Sequence, residues 1–438
     1  MYIIGWEREK KTQEKSMPLF SKDMNVSYKN EIIAGIIGYL TTVYIVVVNG
    51  SILSEAGITV ESGMMATILA SFVGTLIMGV FGKLPLILIP GMGINALFAY
   101  SIVQGNGLSF QEGLAVVLVA SILFLITAFT KLGLLLKEAI PDSLKHAISV
   151  GLGFFLILIG LEKSGLIASG ENTIIAIGDF SSPVIIVSLM TLFIAIFLFV
   201  KNVPANFLIT MLIGTVLAYL FGIIENGTQV NNFSSDLIFI PAFTAIDQLS
   251  FWLAVFPLAM ILIFENMGLL NGQLAMLGKE KSYNNGYKTT AISSLTCAFL
   301  GTSPTVSAAE NAAVIASKGK TGLAAIIAGL LFLGTIFVIP WITMIPNVAI
   351  SPILIIVGFL MVQNIRHIPL DNISEAIPAF LIIVMIPFTY SIADGMAFGF
   401  IAYPIVKLAL GKQKELSVAI VIISLLFICD FALKIAGV

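Results

Sequence analysis

From Glu31 onward the chain is one apolar run after another, separated by polar breaks too short to be the loops of a water-soluble domain. A helix needs about 20 mostly apolar residues, roughly 17–25, to cross a bilayer. Such stretches recur near 31–50, 63–81, 84–103, 113–136, 144–161, 183–200 and 203–222. After a polar loop at 223–250 they resume near 251–270, 287–301, 303–317, 321–344, 349–365, 374–392 and 394–410, which makes fourteen expected spans. Composition agrees, at 58% hydrophobic and 11% charged, against roughly 45–50% and about 25% in soluble domains. The two cysteines, Cys297 and Cys429, exclude a disulfide scaffold and are expected to be small core residues. A formal net charge of −2 offers nucleic acid no basic surface. The chain reads as an all-α polytopic membrane protein.

Charge placement gives an orientation. Residues 1–30 carry Arg8, Lys10, Lys11, Lys15, Lys22 and Lys29 and lack the apolar core of a signal peptide, so they read as a basic cytoplasmic tail. Lysine and arginine collect in cytoplasmic loops. With the tail inside, alternation puts Lys83, Lys131, Lys137, Lys145, Lys201, Lys279, Lys288, Lys318, Arg366 and Lys407 inside as well; only Lys163 falls outside. The outside loop 223–250 holds Glu225, Asp236 and Asp247 and no basic residue. In the remaining segment, 412–438, the apolar stretch Leu416–Leu433 fits a fifteenth span, an interfacial helix, or a different division of 374–410.

Two short echoes suggest an internal repeat. Ile140-Pro141 before Ala147-Ile148-Ser149 matches Ile345-Pro346 before Ala349-Ile350-Ser351, and Glu112-Gly113-Leu114-Ala115 resembles Thr321-Gly322-Leu323-Ala324. Copies over 31–222 and 251–411 hold seven spans each, an odd number, so they have opposite orientation, as in many transporters. The equivalent third and tenth spans are both broken. Leu84-Pro85 through Pro90-Gly91-Met92-Gly93-Ile94-Asn95 and Gly301-Thr302-Ser303-Pro304 through Ala309-Glu310-Asn311 each read as a short extended piece followed by a half-helix. Non-helical backbone at membrane depth belongs in protein or beside a cavity. The plain alternative is two helices kinked by proline.

A carboxylate at mid-bilayer costs about 2.5–3.5 kcal/mol on insertion scales and is usually retained for function. Glu265, well inside span eight, and Glu310, just after the break in span ten, are therefore the leading site candidates. Asn95 and Asn311 are candidates for fixing a ligand edge, because an amide both donates and accepts. Asn49 ends the first span and reads equally well as an ordinary helix-end residue, while His146 and His367 are expected at the membrane interface. Phe98 and Phe264 are possible stacking partners, although an aromatic in a span is more often packing. No metal cluster, phosphate-cradling loop or nucleophile–base pair is visible, so neither an enzyme nor a cofactor is expected.

Several stretches resemble the AzgA-like purine permeases of the nucleobase–cation symporter and nucleobase–ascorbate transporter superfamily. They are Val48-Asn49-Gly50-Ser51-Ile52-Leu53-Ser54-Glu55-Ala56-Gly57, Pro90-Gly91-Met92-Gly93-Ile94-Asn95-Ala96, Ala376-Ile377-Pro378-Ala379-Phe380 and Tyr390-Ser391-Ile392-Ala393-Asp394-Gly395-Met396-Ala397-Phe398-Gly399. The resemblance runs from about residue 30 to 411. It implies two inverted seven-span repeats folded as a core domain (31–136 and 251–344) and a gate domain (144–222 and 349–411), a homodimer in the cell membrane, and proton-coupled import of a nucleobase. It also implies that Glu265 holds the base, that Glu310 and Asn95 are the matching carboxylate and asparagine of spans ten and three, and that backbone at Gly93 and Ala309 contacts the ring. Glu265 or Glu310 would carry the proton. Two departures fall in the site. Span eight reads Glu265-Asn266-Met267-Gly268 where AzgA-like members usually have an aspartate, two threonines and a glycine, and Thr290 replaces a frequent span-nine aspartate. Uracil, xanthine or, on the same fold, an anion stay open as alternative substrates, and sodium as the coupling ion.

Overall fold

The computed structural model describes residues 27–133, 139–170, 173–224 and 238–436. Most of the basic tail, Lys137, and the loop residues Glu225 and Asp236 lie outside the described residues. The chain is a helical, multi-pass membrane protein. Among the described residues, nine helices are long and apolar enough to cross a bilayer, and Asn206–Leu220, Ile373–Thr389 and Val418–Ala432 are shorter apolar helices.

The first half begins with α1 (Tyr28–Thr42) and α2 (Tyr44–Ser54), joined at Val43. Next comes α3 (Val60–Ile77), started by Thr59, whose hydroxyl accepts from Ser62 N. The third segment does not form a continuous helix. It runs as β1 (Leu88–Pro90), α4 (Met92–Ala96) and a π-helical stretch, Leu97–Gly105. Then follow α5 (Phe110–Phe129), with a Ser109–Glu112 capping box, and α6 (Asp142–Lys163). A small hairpin of β2 (Ile167–Ala168) and β3 (Ala176–Ile177) leads to α7 (Pro183–Val200) and α8 (Asn206–Leu220).

The second half starts with α9 (Leu249–Leu277), closed by left-handed Gly278, and α10 (Tyr283–Leu300), closed by left-handed Gly301. The tenth segment is broken like the third, into β4 (Thr305–Ser307) and α11 (Asn311–Ala316). Beyond it lie α12 (Gly322–Gly334), α13 (Ile339–Ile342), α14 (Asn347–Val362), α15 (Ile373–Thr389) and α16 (Ile392–Ala409). The stretch whose form the sequence left open is a helix, α17 (Val418–Ala436). It packs on α16, and its Phe427 meets Phe400 and, from α9, Phe256. Of the two cysteines expected in the core, Cys297 is buried but Cys429, on α17, is exposed. An apolar environment does not have to be protein when the helix is this short of neighbours.

Helices α1, α3 and α5 pack mainly with α9, α10 and α12, and α2 packs on α3, whereas α6, α7 and α8 pack with α14, α15 and α16. Each set contains a close crossing made by two glycines, one from each half of the chain. A Cβ on Gly322 would stand 1.9 Å from the Gly79 carbonyl oxygen, and a Cβ on Gly358 2.5 Å from that of Gly153. Such contacts let helix backbones approach where no hydrophobic effect drives them together. Buried Glu31 adds another tie across the halves. Its carboxylate accepts from the backbone of Lys320, Thr321 and Ala324 at the start of α12, supplying the acceptor that a helix N-terminus lacks.

Candidate functional site

The two broken segments meet inside the protein. β1 pairs antiparallel with β4, Leu88 opposite Ser307, Ile89 opposite Val306 and Pro90 opposite Thr305. The pair is continued by Ala308 N–H to Ile87 O and Gly91 N–H to Pro304 O. Two three-residue strands leave edge groups that water cannot reach, and side chains satisfy them. On one edge, the Thr75 hydroxyl accepts from Leu88 N and donates to Leu88 O, each at 3.0 Å. The Asn311 carboxamide accepts from Ile87 N at 2.8 Å and donates to Ile87 O and to the Ser307 hydroxyl, both at 3.1 Å. Ser294 donates to Thr305 O, and Asn266 accepts from Ser307 N. The polarity of α10, which keeps it out of the nine apolar spans, comes partly from serving β4 in this way: Ser293 also bonds the Thr305 hydroxyl.

Beside this crossing lies a cavity of about 670 Å³. One wall comes from Gly91–Gly93 and Val306–Glu310, a second from the α9 face carrying Phe264, Glu265 and Gln273, and a third from α6 and the end of α14. Tyr44 of α2 also contributes. Ligand pockets commonly have this size and this mix of apolar wall and few polar groups.

Of the expected site residues, the structure brings Glu265, Glu310, Gly93, Ala309 and Phe264 to the cavity. Glu265 has one carboxylate oxygen, Oε2, that is buried without a hydrogen-bond partner. Glu310 instead accepts from the Tyr44 hydroxyl at 2.5 Å. Lys145 lies 5.1 Å from the centroid of the Phe264 ring and pairs with Asp142 at 2.8 Å. The other three expected residues are not in the cavity wall. Asn311 is committed to the strand crossing, Asn95 is buried with its Oδ1 accepting from Ser303, and Phe98 packs edge-on against Phe110 at 5.6 Å. Asn49 is a structural tie as well: it donates to the Thr67 and Thr302 hydroxyls.

Sequence reasoning missed two residues, Gln273 and Tyr44. Gln273 stands two helical turns beyond Glu265, on the same face of α9; its amide donates to Ala308 O at 2.7 Å and accepts from the Ser307 hydroxyl at 2.6 Å. That spacing was the available signal. Tyr44 carried none, being one more aromatic in an apolar run. His146 and His367, expected at the interface, lie with ring centroids 5.1 Å apart and planes tilted by 35°, and both line the cavity. Among the described residues no three of His, Cys, Asp and Glu gather as a metal site needs.

Polar contacts join the segments at the end of the molecule marked by Glu55 and the C-terminus of α6. Lys163 Nζ lies 2.6 Å from Glu55, and Ile392 N donates to the Ser101 hydroxyl at 2.9 Å. Tyr100, Phe155 and Tyr390 form a cluster of edge-to-face rings 5.1–5.9 Å apart.

Comparison with known proteins gives these features a setting. A family model described as a permease family, Xan_ur_permease, matches residues 29–398. The nucleobase transporter PlAzg2 of Paenibacillus larvae is 43% identical over 382 residues, 86% of this chain and 77% of that protein. The guanine/hypoxanthine permease PbuO of Bacillus subtilis is 35% identical, with 93% and 98% covered, and the adenine permease AdeP of Escherichia coli is 32% identical, with 93% of each covered. Among solved structures, the transmembrane domain of the cyanobacterial bicarbonate transporter BicA has the same fold, with a TM-score of 0.68 at 17% identity over 84% of this chain and 98% of that one.

Proposed function

The chain belongs to the Xan_ur_permease family of permeases, in its AzgA-like branch, and on that premise we propose that it imports a purine nucleobase by proton symport. It is a permease and not an enzyme. The observation that carries the substrate reading is the Glu265 carboxylate, which faces the cavity with an oxygen that no described residue satisfies. Such an oxygen is costly to bury unpaired. A neutral base offering adjacent N–H donors removes that cost, while Phe264 supplies a face for stacking and backbone at Gly93 and Ala309 takes another edge. Asn95, Asn311 and Phe98 keep supporting positions in this reading.

In the proposed cycle, 31–136 and 251–344 act as a core and 144–222 and 349–411 as a gate, the halves being inverted repeats of seven spans. The N-terminus is cytoplasmic and the protein is a homodimer. The packing of α1–α3, α5, α9, α10 and α12 apart from α6–α8 and α14–α16 supports this division. With the Lys145, His146 and His367 side cytoplasmic, the cavity is open inward, and the Lys163–Glu55 end is the closed outer gate. Lys163, the one basic residue that topology puts outside, thus has a use there. Rocking of gate against core alternates access around a fixed site. Removing a carboxylate from water favours its neutral form, so Glu265 or Glu310 takes the proton. The relatives named for bases favour this reading over an anion carrier, since the BicA likeness concerns fold alone.

The test is uptake of labelled hypoxanthine in bacteria lacking their own base permeases, challenged with each purine and with uracil, with and without a protonophore. Purine-selective, protonophore-sensitive uptake is expected. Uptake of no base by protein present in the membrane overturns the reading.

A further inference from the structure

Tyr44 touches two parts of the molecule at once. Its hydroxyl donates to Glu310 Oε1 at 2.5 Å, and the side chain is 1% exposed. Its ring meets Phe207 with centroids 4.8 Å apart and planes at 61°. Phe207 stands in the first turn of α8, which packs on α7 and α14, the helices opposite the strand crossing. Tyr44 also directly follows Val43, where the helical run from Tyr28 to Ser54 changes from α1 to α2. One side chain therefore holds a cavity carboxylate with its polar end and leans on the other helix group with its apolar body.

We propose that Tyr44 is a positioning residue that links the hydrogen bonding of Glu310 to the relative placement of the two helix groups. The proposal rests on the transport reading above and names a coupling device within that same site. With α8 where it stands, Phe207 fixes the ring and the hydroxyl stays on the carboxylate. Displacement of α8 removes the ring's support, Glu310 loses its donor, and the balance between its charged and neutral forms changes with access. The other ionisable groups facing this cavity are Glu265 on α9, Asp142, Lys145 and His146 on α6, and His367 beyond α14. Asp142 and Lys145 are paired with each other, and among the described residues Glu310 takes its side-chain hydrogen bond from Tyr44.

Two variants separate the two ends of the link. Tyr44→Phe keeps the ring and deletes the donor; Phe207→Leu keeps apolar volume and deletes the edge-to-face contact. Purified protein is tested for binding of labelled hypoxanthine, guanine and adenine, and cells for uptake of the same bases from acidic to alkaline pH. Tyr44→Phe is expected to bind within about threefold of the parent, less than half of one tenfold step in affinity. Its uptake falls roughly tenfold, the scale of one lost charge-assisted hydrogen bond, and its pH profile moves. Phe207→Leu shows the same split, smaller. Parent-like uptake and pH profile in Tyr44→Phe overturn the proposal, as does loss of binding and uptake together with an unmoved profile. If Tyr44→Phe does not fold, Phe207→Leu decides by the same readings. A parent that takes up no base sinks the transport reading instead, and the two failures are told apart without any variant.

Discussion

Buried polar side chains gather in two neighbouring regions of this membrane protein, and they are treated in opposite ways. At the β1–β4 crossing, the side chains of Thr75, Asn311, Ser294 and Asn266 each bond a strand backbone group or a neighbour's hydroxyl. On the facing wall of the cavity, Glu265 keeps an oxygen without a partner. The first region uses polarity to hold an irregular backbone together. The second, in the proposed transport reading, keeps it for the arriving base. Gln273 stands between them, lining the cavity while both ends of its amide serve the segment Ser307–Ala308. A polar residue at membrane depth therefore points to a ligand only once its bonds have been accounted for.

The contrast can be broken by experiment. Glu265→Gln should reduce uptake by about 30-fold or more, since losing one partner of a buried charged contact costs about 2–5 kcal/mol. Its thermal unfolding in detergent should match the parent. Lost stability instead of lost uptake would put Glu265 in the wrong class. Asn311→Ala should do the reverse. It strands the N–H of Ile87, at about 1–3 kcal/mol, removes the second bond to Ile87 O, whose bond from Ala308 N–H remains, and leaves a gap in the core. The unfolding temperature and the folded yield therefore fall, while the protein that does fold binds base as the parent does. Thr75→Val, nearly isosteric, leaves no gap but strands the N–H and C=O of Leu88, each at about 1–3 kcal/mol, so it should lower the unfolding temperature by a comparable amount. Unchanged thermograms for both would show that the crossing does not need these side chains.

The smallest effect is expected at the tied outer end. An accessible ion pair contributes about 0–1 kcal/mol, so Lys163→Gln should leave folding intact. It should raise labelling of a cysteine placed at Val103 by an impermeant thiol reagent added outside, in a background with Cys297 and Cys429 replaced by alanine. Unchanged labelling would remove Lys163–Glu55 from the proposed outer gate.

Much of the architecture was legible because the bilayer permits so few solutions. Apolar run length locates the helices, and Pro85, Pro90 and Pro304 mark the segments that cannot continue as helices. Glu265 and Glu310 stood out for the same reason, being charges where charge is expensive. The fate of Asn311 and Asn95 was not legible. An amide in a broken segment looks alike whether it serves a ligand or a strand, and the difference lies in Ile87 and Ser303, which meet those amides only in the fold. Tyr44 was invisible for a related reason: its partner Glu310 belongs to the other half of the chain. That both histidines share one cavity wall was not legible, because closeness to a helix end in sequence does not reveal that α6 and the end of α14 bring the two rings together.

The pairing of β1 with β4 also bears on how the protein is made. During synthesis β1 leaves the ribosome with the first half, and its partner follows only after α5 to α10 have been translated. Until then the backbone of Leu88–Pro90 has no strand to pair with, although Thr75 is already present to shield one edge. A nascent chain stalled in that interval carries an open edge within the membrane, where no solvent can stand in for the missing partner. Completion of the ladder thus comes late in synthesis. Chains truncated before Thr305 should be recognised by membrane quality-control proteases and cleared, however well their helices have inserted.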